Sequence, residues 1–337
     1  MGEAHIVVLY NQETKLARGE EKDLIALQDT ITTTNYICNA LLSLGYQTSL
    51  ISVVDSLDDL ASQLKVFSPS NTFIFNNCDG FAGRNLGAVQ VLQVVENMGF
   101  CHTGASADTI AQCTDKSRAK ISLLNGGLPT PAFRVISHPS ETYTLRFPAI
   151  VKPLTEDGSI GIDDQSVVSN MQELQRRIEY ILKSYDQPAL VEEFIEGREF
   201  AIALWGNENL EILPIYEEDY SKIEDPLKHL LTFDSKWIKS SWYYHGIEIR
   251  CPANLDPEEE HYIKQVSTNT YYTLGLRDFA RFDIRYNGRT AYVIDVNELP
   301  DLSPDAGFAR TAMVAGYSYE EIIEKILHFA LNREGWR

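Results

Sequence analysis

"ARFDIRYNGRTAYVIDVN", residues 280–297, sets two acids and an amide among strand formers. Side chains alternate faces along a strand, so the loop of a hairpin decides which residues of its two strands share a face. A two-residue Asn287-Gly288 turn would set Asp283 opposite Tyr292 and leave Asp295 and Asn297 on the other face. A three-residue loop, Asn287-Gly288-Arg289 with Gly288 or Arg289 left-handed, instead pairs Phe282 with Ile294, Ile284 with Tyr292 and Arg281 with Asp295. That register predicts an apolar face of Phe282, Ile284, Tyr292, Ile294 and Val296, and a polar face of Arg281, Asp283, Asp295 and Asn297. Three oxygen ligands beside an arginine suit a hard divalent cation with an anion held next to it. A solvated face carrying a cross-strand ion pair reads the same residues without chemistry. The hairpin alone leaves both readings open.

At 337 residues the chain exceeds one ordinary core, so two or three domains are expected. With 44% hydrophobic residues and no low-complexity stretch, it reads as folded throughout. A net charge of −19 repels nucleic-acid phosphates and anionic membrane surfaces, which excludes both as partners. A small anionic ligand would need a local cluster of lysines, backbone amides and metal ions. Cys38, Cys78, Cys101, Cys113 and Cys251 show no paired spacing, as free thiols of a reducing cytoplasm would. The opening MGEAHIVVLY has no basic region before an apolar run, position 6 is Ile6 rather than Ser or Thr, and no stretch reaches the length of a membrane span. A cytoplasmic protein is the expectation.

"HIVVLY" (5–10), "TSLISVV" (48–54) and "NTFIFNN" (71–77) read as strands. They alternate with helices, one from about Asp23 to Leu44 stopped by Gly45 and another from about Leu86 to Met98, so a parallel sheet with covering helices follows. A helix over 107–124 ends at Asn125-Gly126-Gly127. "FPAIVKP" (147–153) is a strand, 173–185 an amphipathic helix, and 189–206 a pair of strands around Gly197. The last element, "SYEEIIEKILHFAL", opens with a capping box of Ser318 and Glu321.

Lys152 ends the apolar strand "AIVKP", where a buried ammonium needs an anionic partner. The loop after it, Asp157-Gly158-Ser159-Ile160-Gly161, offers amides and a hydroxyl that can close over phosphates, although any strand-to-helix turn can look so. "VEEFIEGREF" carries Glu192 and Glu199, which suit an adenine amino group and ribose hydroxyls, or the solvated charges of an edge strand. Neither G-x-x-x-x-G-K-[ST] nor a strand-linked G-x-G-x-x-G occurs.

Strand-Lys-Pro, a glycine loop, Glu-x₆-Glu and a distal Arg-x-Asp with Asp-x-Asn follow one another in this order over nearly the whole chain. So ordered, they resemble the ATP-grasp ligases, and within them the D-alanine–D-alanine ligases. "HTGASADTIAQCTDKSRAK" and "RCPANL" are similar to that family's Thr-Gly…Asp-Lys and Cys-Pro-Ala segments. The resemblance implies an α/β chain with α+β subdomains: an N-terminal parallel-sheet domain (1–103), a central ATP-grasp subdomain (104–196) and a C-terminal one (197–337). It implies that Lys116, Lys152 and Ser159 contact ATP phosphates, Glu192, Phe194 and Ile195 border adenine, and Glu199 meets the ribose. Lys236, in "FDSKW", would sit on a mobile loop closing over the phosphates. Asp283, Asp295 and Asn297 would ligate a pair of Mg²⁺ ions, or Mn²⁺ in their place, and Arg281 would steady an acyl phosphate. The implied reaction joins a carboxylate to an amine and releases ADP and phosphate, with small-molecule partners and, by analogy alone, a homodimer.

The resemblance fails at both amino-acid subsites. Ala26 or Gln28 stands near the place of the family's amino-binding glutamate, with Asp23 and Asp29 as candidate substitutes. Gly158-Ser159 replaces a serine pair, and "NNCDGFAGRNLG" replaces a histidine-bearing loop. Asp301 replaces a glycine near the family's carboxylate-binding serine, where an acid would repel a carboxylate; a turn and a helix cap formed by Asp301 and Asp305 is the plainer reading. Three functions stay open: a ligase for another acceptor, such as one of mycosporine-type specialised metabolism, a D-alanine–D-alanine ligase, and a catalytically silent ATP-binding regulator.

Overall fold

The computed structural model describes residues 4–13, 16–139, 141 and 146–336; residues 1–3 of the opening decapeptide lie outside them. Strands β1 (His5–Asn11), β2 (Thr48–Val53), β3 (Thr72–Asn77) and β4 (Cys101–His102) form a parallel sheet in the order β2-β1-β3-β4. β1 is apolar on both faces because both are covered. Ile6 and Val8 pack with Ile37 and Leu41 of the helix Leu24–Ser43, while Val7 and Leu9 pack with Leu60 and Val91 of the helices Leu57–Leu64 and Gly87–Asn97. The strand order reverses between β1 and β3, and the crevice beyond their carboxyl ends is where such sheets bind ligands. Asn11, Asn77 and Asp79 lie at these ends.

The helix expected over 107–124 is two helices, Ala107–Thr114 and Lys116–Asn125. Asp115 is extended between them and its carboxylate accepts from the amides of Ser117 (3.1 Å) and Arg118 (3.3 Å), capping the second helix. The break puts Lys116 on a first turn.

A second, antiparallel sheet comprises β5 (Phe133–Ile136), β6 (Ala149–Pro153), β7 (Val167–Val168) and β8 (Ala189–Glu193) in the order β5-β8-β6-β7. The helix Met171–Tyr185 backs it, burying Leu174, Ile178 and Ile181 against Val151 and Val191. A third sheet holds β9 (Arg198–Gly206), β10 (Glu211–Ile212), β11 (Tyr216–Asp219), β12 (Glu248–Arg250), β13 (Asp278–Tyr286) and β14 (Ala291–Asn297), in the order β12-β11-β9-β13-β14 with β10 on β9. The strands around Gly197 therefore belong to different sheets. Gly197 turns between them at φ +144°, where a Cβ would lie 2.2 Å from the Tyr286 carbonyl oxygen.

The β13–β14 hairpin has neither expected register. Its turn is Gly288-Arg289, with Tyr286 paired to Ala291 and the Asn287 amide donating to the Thr290 carbonyl at 3.3 Å. Ile284 pairs with Val293, but Asp283 pairs with Asp295, so Ile294 is a bulge. Were Ile294 kept in the ladder opposite Asp283, Asp295 would face Phe282, on the core side. The bulge, not a three-residue loop, turns Asp295 and Asn297 onto the face of Arg281 and Asp283. The core face is accordingly Phe282, Ile284, Tyr286, Ala291, Val293 and Val296, with Tyr292 and Ile294 excluded from it.

Candidate active site

The second and third sheets face one cavity, and every candidate site residue lines it. β6 supplies Lys152, β8 Glu192, the chain between β8 and β9 Phe194 and Ile195, and β9 Glu199. β13 supplies Arg281 and Asp283, β14 Asp295 and Asn297, the glycine loop Ser159, and two helices Lys116 and Lys236.

At one end the charges form interlocked groups. The Lys116 ammonium donates to Asp157 (2.9 Å) and Asp295 (3.0 Å). Burial works against this ammonium, and the two carboxylates override it, holding its pKa above the ordinary lysine value. Burial likewise opposes ionisation of Asp295, and Lys116 and Lys152 bring its pKa below the ordinary carboxylate value. Glu192 sits between Lys120 (2.9 Å) and Lys152 (3.1 Å), not free to face a base. Taken alone, this trio carries one positive charge more than its carboxylate supplies, whereas Lys116 faces two carboxylates, so the surplus is local to the trio and the wider cluster balances. Burial pushes the Glu192 pKa up and the lysines pull it further down; Lys120, buried and facing Lys152, is held below its ordinary value. That surplus suits a phosphate.

Gly158 and Ser159 both take left-handed conformations, φ +62° and +60°. Such backbone at a non-glycine residue persists where the surroundings dictate it. The Trp237 indole donates to the Gly158 carbonyl at 3.0 Å, and the Phe233 amide donates to the Ile162 carbonyl at 2.9 Å, so the helix Phe233–Trp237 lies across the loop. It carries Lys236, whose amine has no hydrogen-bond partner among the described residues; burial and then Arg281 lower its pKa.

At the other end Ile150, Phe194, Ile195, Leu230 and Leu231 make an apolar slot. Glu199 is already engaged, accepting from Tyr220 (2.8 Å) and Arg285 (2.6 Å). Arg285 also donates to the Ile195 and His229 carbonyls and lies over the Phe194 ring.

Asp283 and Asp295 are oxygen donors of the kind Mg²⁺ takes, but Arg281 donates to both oxygens of Asp283 (3.0 and 3.2 Å) and Lys116 to one of Asp295. Asn297 has an amide nitrogen with no partner, leaving that side chain unconstrained. Among the described residues no three His, Cys, Asp or Glu side chains converge as a preformed metal site. The donors fit a hard cation that arrives with phosphates and displaces these cations.

Lys120, Arg285, Asp157 and Glu218 were not singled out from sequence. Lys120 lies one turn beyond Lys116 on the same helix, and Arg285 shares the parity of Arg281 and Asp283, so both carried a signal. Asp157 and Glu218 gained their significance only from tertiary packing.

The substrate-side candidates separate. Asp23 accepts from the Glu20 amide (2.8 Å) and Tyr185 (3.2 Å), which makes it a helix cap, and Gln28 is exposed. Ala26 lies 3.9 Å from the position of a Cβ on Gly158. Asp29 faces Asp301 and Asp305. Asp301 forms the expected turn, accepting from the Ser303 amide at 2.8 Å and from Thr33 at 3.1 Å. Asp305 caps nothing: the helix Gly307–Val314 has Ala306 at its N-cap.

Two antiparallel sheets closing on lysines, a glycine loop and an Asp/Asp/Asn set define an ATP-grasp ligase. The family described as "D-ala D-ala ligase C-terminus" matches residues 131–328. The chain is 32% identical to the D-alanine–D-alanine ligase of Carboxydothermus hydrogenoformans over 90% of this chain and 93% of that one. It is also 32% identical to the protein y4sG of Sinorhizobium fredii, over 87% and 86%. The crystal structure of the Bacillus anthracis D-alanine–D-alanine ligase complexed with ATP superposes with a TM-score of 0.75 over 98% of this chain and 99% of that one, at 20% identity, a likeness of fold. The chain belongs to the D-alanine–D-alanine ligase family, ADP-forming ligases of carbon–nitrogen bonds. Among the described residues no helix is long and apolar enough to cross a membrane, and all five cysteines are free.

Proposed function

We propose that this ligase activates a small carboxylic acid with ATP and couples it to an amine other than D-alanine, releasing ADP and phosphate. One observation carries the reading: the cavity gathers the candidates for nucleotide, metal and acyl phosphate, while outside its lining Asp29 faces Asp301 and Asp305. In this reading the surplus charge of Lys120, Lys152 and Glu192, with Lys116, Ser159 and Lys236, binds the phosphates. Phe194 and Ile195 flank the adenine, and Glu199, steadied by Arg285, holds the ribose. Asp283, Asp295 and Asn297 hold Mg²⁺, which when bound neutralises charge on the transferring phosphoryl group. Arg281 steadies the acyl phosphate, and the helix Phe233–Trp237 excludes water, which would hydrolyse it. The reading extends to a chain divided near residues 103 and 196, working in the cytoplasm.

Asp29, Asp301 and Asp305 support the different acceptor. Burial and these two neighbours push Asp29 up to about 6, and three acids are a poor setting for a substrate carboxylate. An amino acid joined to a small metabolite amine, as in mycosporine-type metabolism, fits this charge better than D-alanyl-D-alanine. The test is Mg-ATP-dependent phosphate release across a matrix of D- and L-amino acids and small amines, with mass spectrometry of each positive. A product lighter than its substrates by one water, formed with ADP, is expected. D-alanyl-D-alanine as the preferred product would overturn the acceptor reading, and ATP binding with no product from any pair would leave a silent nucleotide binder.

A further inference from the structure

Glu218 is a buried carboxylate that the reading above does not use. It is 2% exposed, and its Oε2 has no hydrogen-bond partner. β11 sets Glu218 opposite Glu199 of β9, and β13 sets Asp283 opposite Ala201 and Arg281 opposite Ala203. Cross-strand partners share a face, so Glu218, Asp283 and Arg281 stand on the same side of the sheet. From β9 only the methyl groups of Ala201 and Ala203 project between Arg281 and Glu218, and Tyr216, opposite Ala201 on β11, flanks the path between them.

A carboxylate left alone in such surroundings is costly. Burial raises the Glu218 pKa well above the ordinary value, Glu199 and Asp283 add to it, and Arg281 opposes it. Such a group persists where a second state of the protein supplies its partner. Arg281 is the cation that a second state would free. It now donates to both oxygens of Asp283, so a metal ion taking that edge of the carboxylate competes with the guanidinium.

We propose that Glu218 is the second seat of Arg281: when a divalent ion takes Asp283, the guanidinium leaves it, swings across Ala201 and pairs with Glu218. The inference rests on the assignment of Asp283 as a metal ligand. A guanidinium has two edges, so one seated on Glu218 keeps the other for an acyl phosphate. Glu218 is thus a positioning residue, acting on metal affinity through Arg281.

The test is a double-mutant cycle read in binding. Calorimetry gives the affinity for AMPPNP with Mn²⁺ and with EDTA, and the ratio is the gain brought by the metal. Glu218→Gln, nearly isosteric, is expected to cut that gain about tenfold and to leave the EDTA affinity unchanged. Glu218→Leu, which also removes the buried polar group, is expected to do the same. In an Arg281→Gln background, where Asp283 is already free, neither change is expected to alter the gain. An unchanged gain in Glu218→Gln, or an equal loss in both backgrounds, overturns the switch and leaves the ligase reading standing. Absence of any metal-dependent gain in the unaltered protein overturns the metal assignment itself, and the switch with it.

Discussion

Two acidic groupings, one lining the cavity and one outside its lining, handle charge in opposite ways. At the phosphate end three acids hold cations: Glu192 lies between two lysines, Asp295 on Lys116 and Asp283 on Arg281. At the substrate end Asp29, Asp301 and Asp305 face one another, and among the described residues none forms a salt bridge. In the proposed reading, the grouping that takes a triphosphate supplies preformed counter-charge, and the grouping assigned to the acceptor leaves charge for a substrate to answer.

The comparison breaks most severely at the bulge. Deleting Ile294 would leave a regular ladder in which Asp295 still pairs with Asp283, so the acids keep the cavity face and only the carbonyl that accepts from Lys152 and Lys120 is lost. Turnover should fall while urea unfolding still shows a folded chain, and a deletion that fails to fold would refute the register argument. Next in size, Asp283→Asn should lower kcat on the order of 10³-fold, beyond whatever stability is lost by leaving Arg281 without its carboxylate, since it removes charge stabilisation at the reacting phosphoryl group. An unchanged rate would remove the hairpin from the mechanism. Glu192→Gln should destabilise by about 3 kcal/mol in urea, because Lys120 and Lys152 would lose the carboxylate between them. A neutral result would mean that this end is not held by matched charge.

The smallest effect belongs to the acidic end. The folded pKa of Asp29, about 6, lies above its ordinary 3.8, so its contribution to stability is full below about pH 4 and is lost as the pH rises through 6. Asp29→Asn should therefore raise Tm slightly at pH 7 and leave it unchanged at pH 3.5. A Tm lowered at pH 7 would mean that Asp29 has a cationic partner in solution.

Sequence made the cleft legible wherever chemistry and periodicity coincide. Lys152 at the end of an apolar strand, the glycine loop and the acids of the hairpin stood out as candidates from spacing, and their order along the chain, through the resemblance, joined them to one site. Two local features escaped. Asp115 is an ordinary helix residue until its carboxylate is seen capping Lys116–Asn125, and the Ile294 bulge is invisible in a run of strand formers. Asp301 could be read as a turn, but its meeting with Asp29 joins residues more than 270 positions apart. No local pattern encodes such a contact.

The bulge at Ile294 does more than correct parity. Its carbonyl, not directed at a partner strand, accepts from Lys152 at 3.3 Å and from Lys120 at 3.5 Å. One extra residue thereby ties the acid-bearing strand to the lysines of the facing sheet. It also absorbs one residue of length: with Ile294 outside the ladder, Asp295 follows Val293 in the pairing, so the acids keep their face whether or not the extra residue is present. Position 294 should be retained for the carbonyl it offers the lysines, while the length of the chain is free to drift at the Gly288-Arg289 tip.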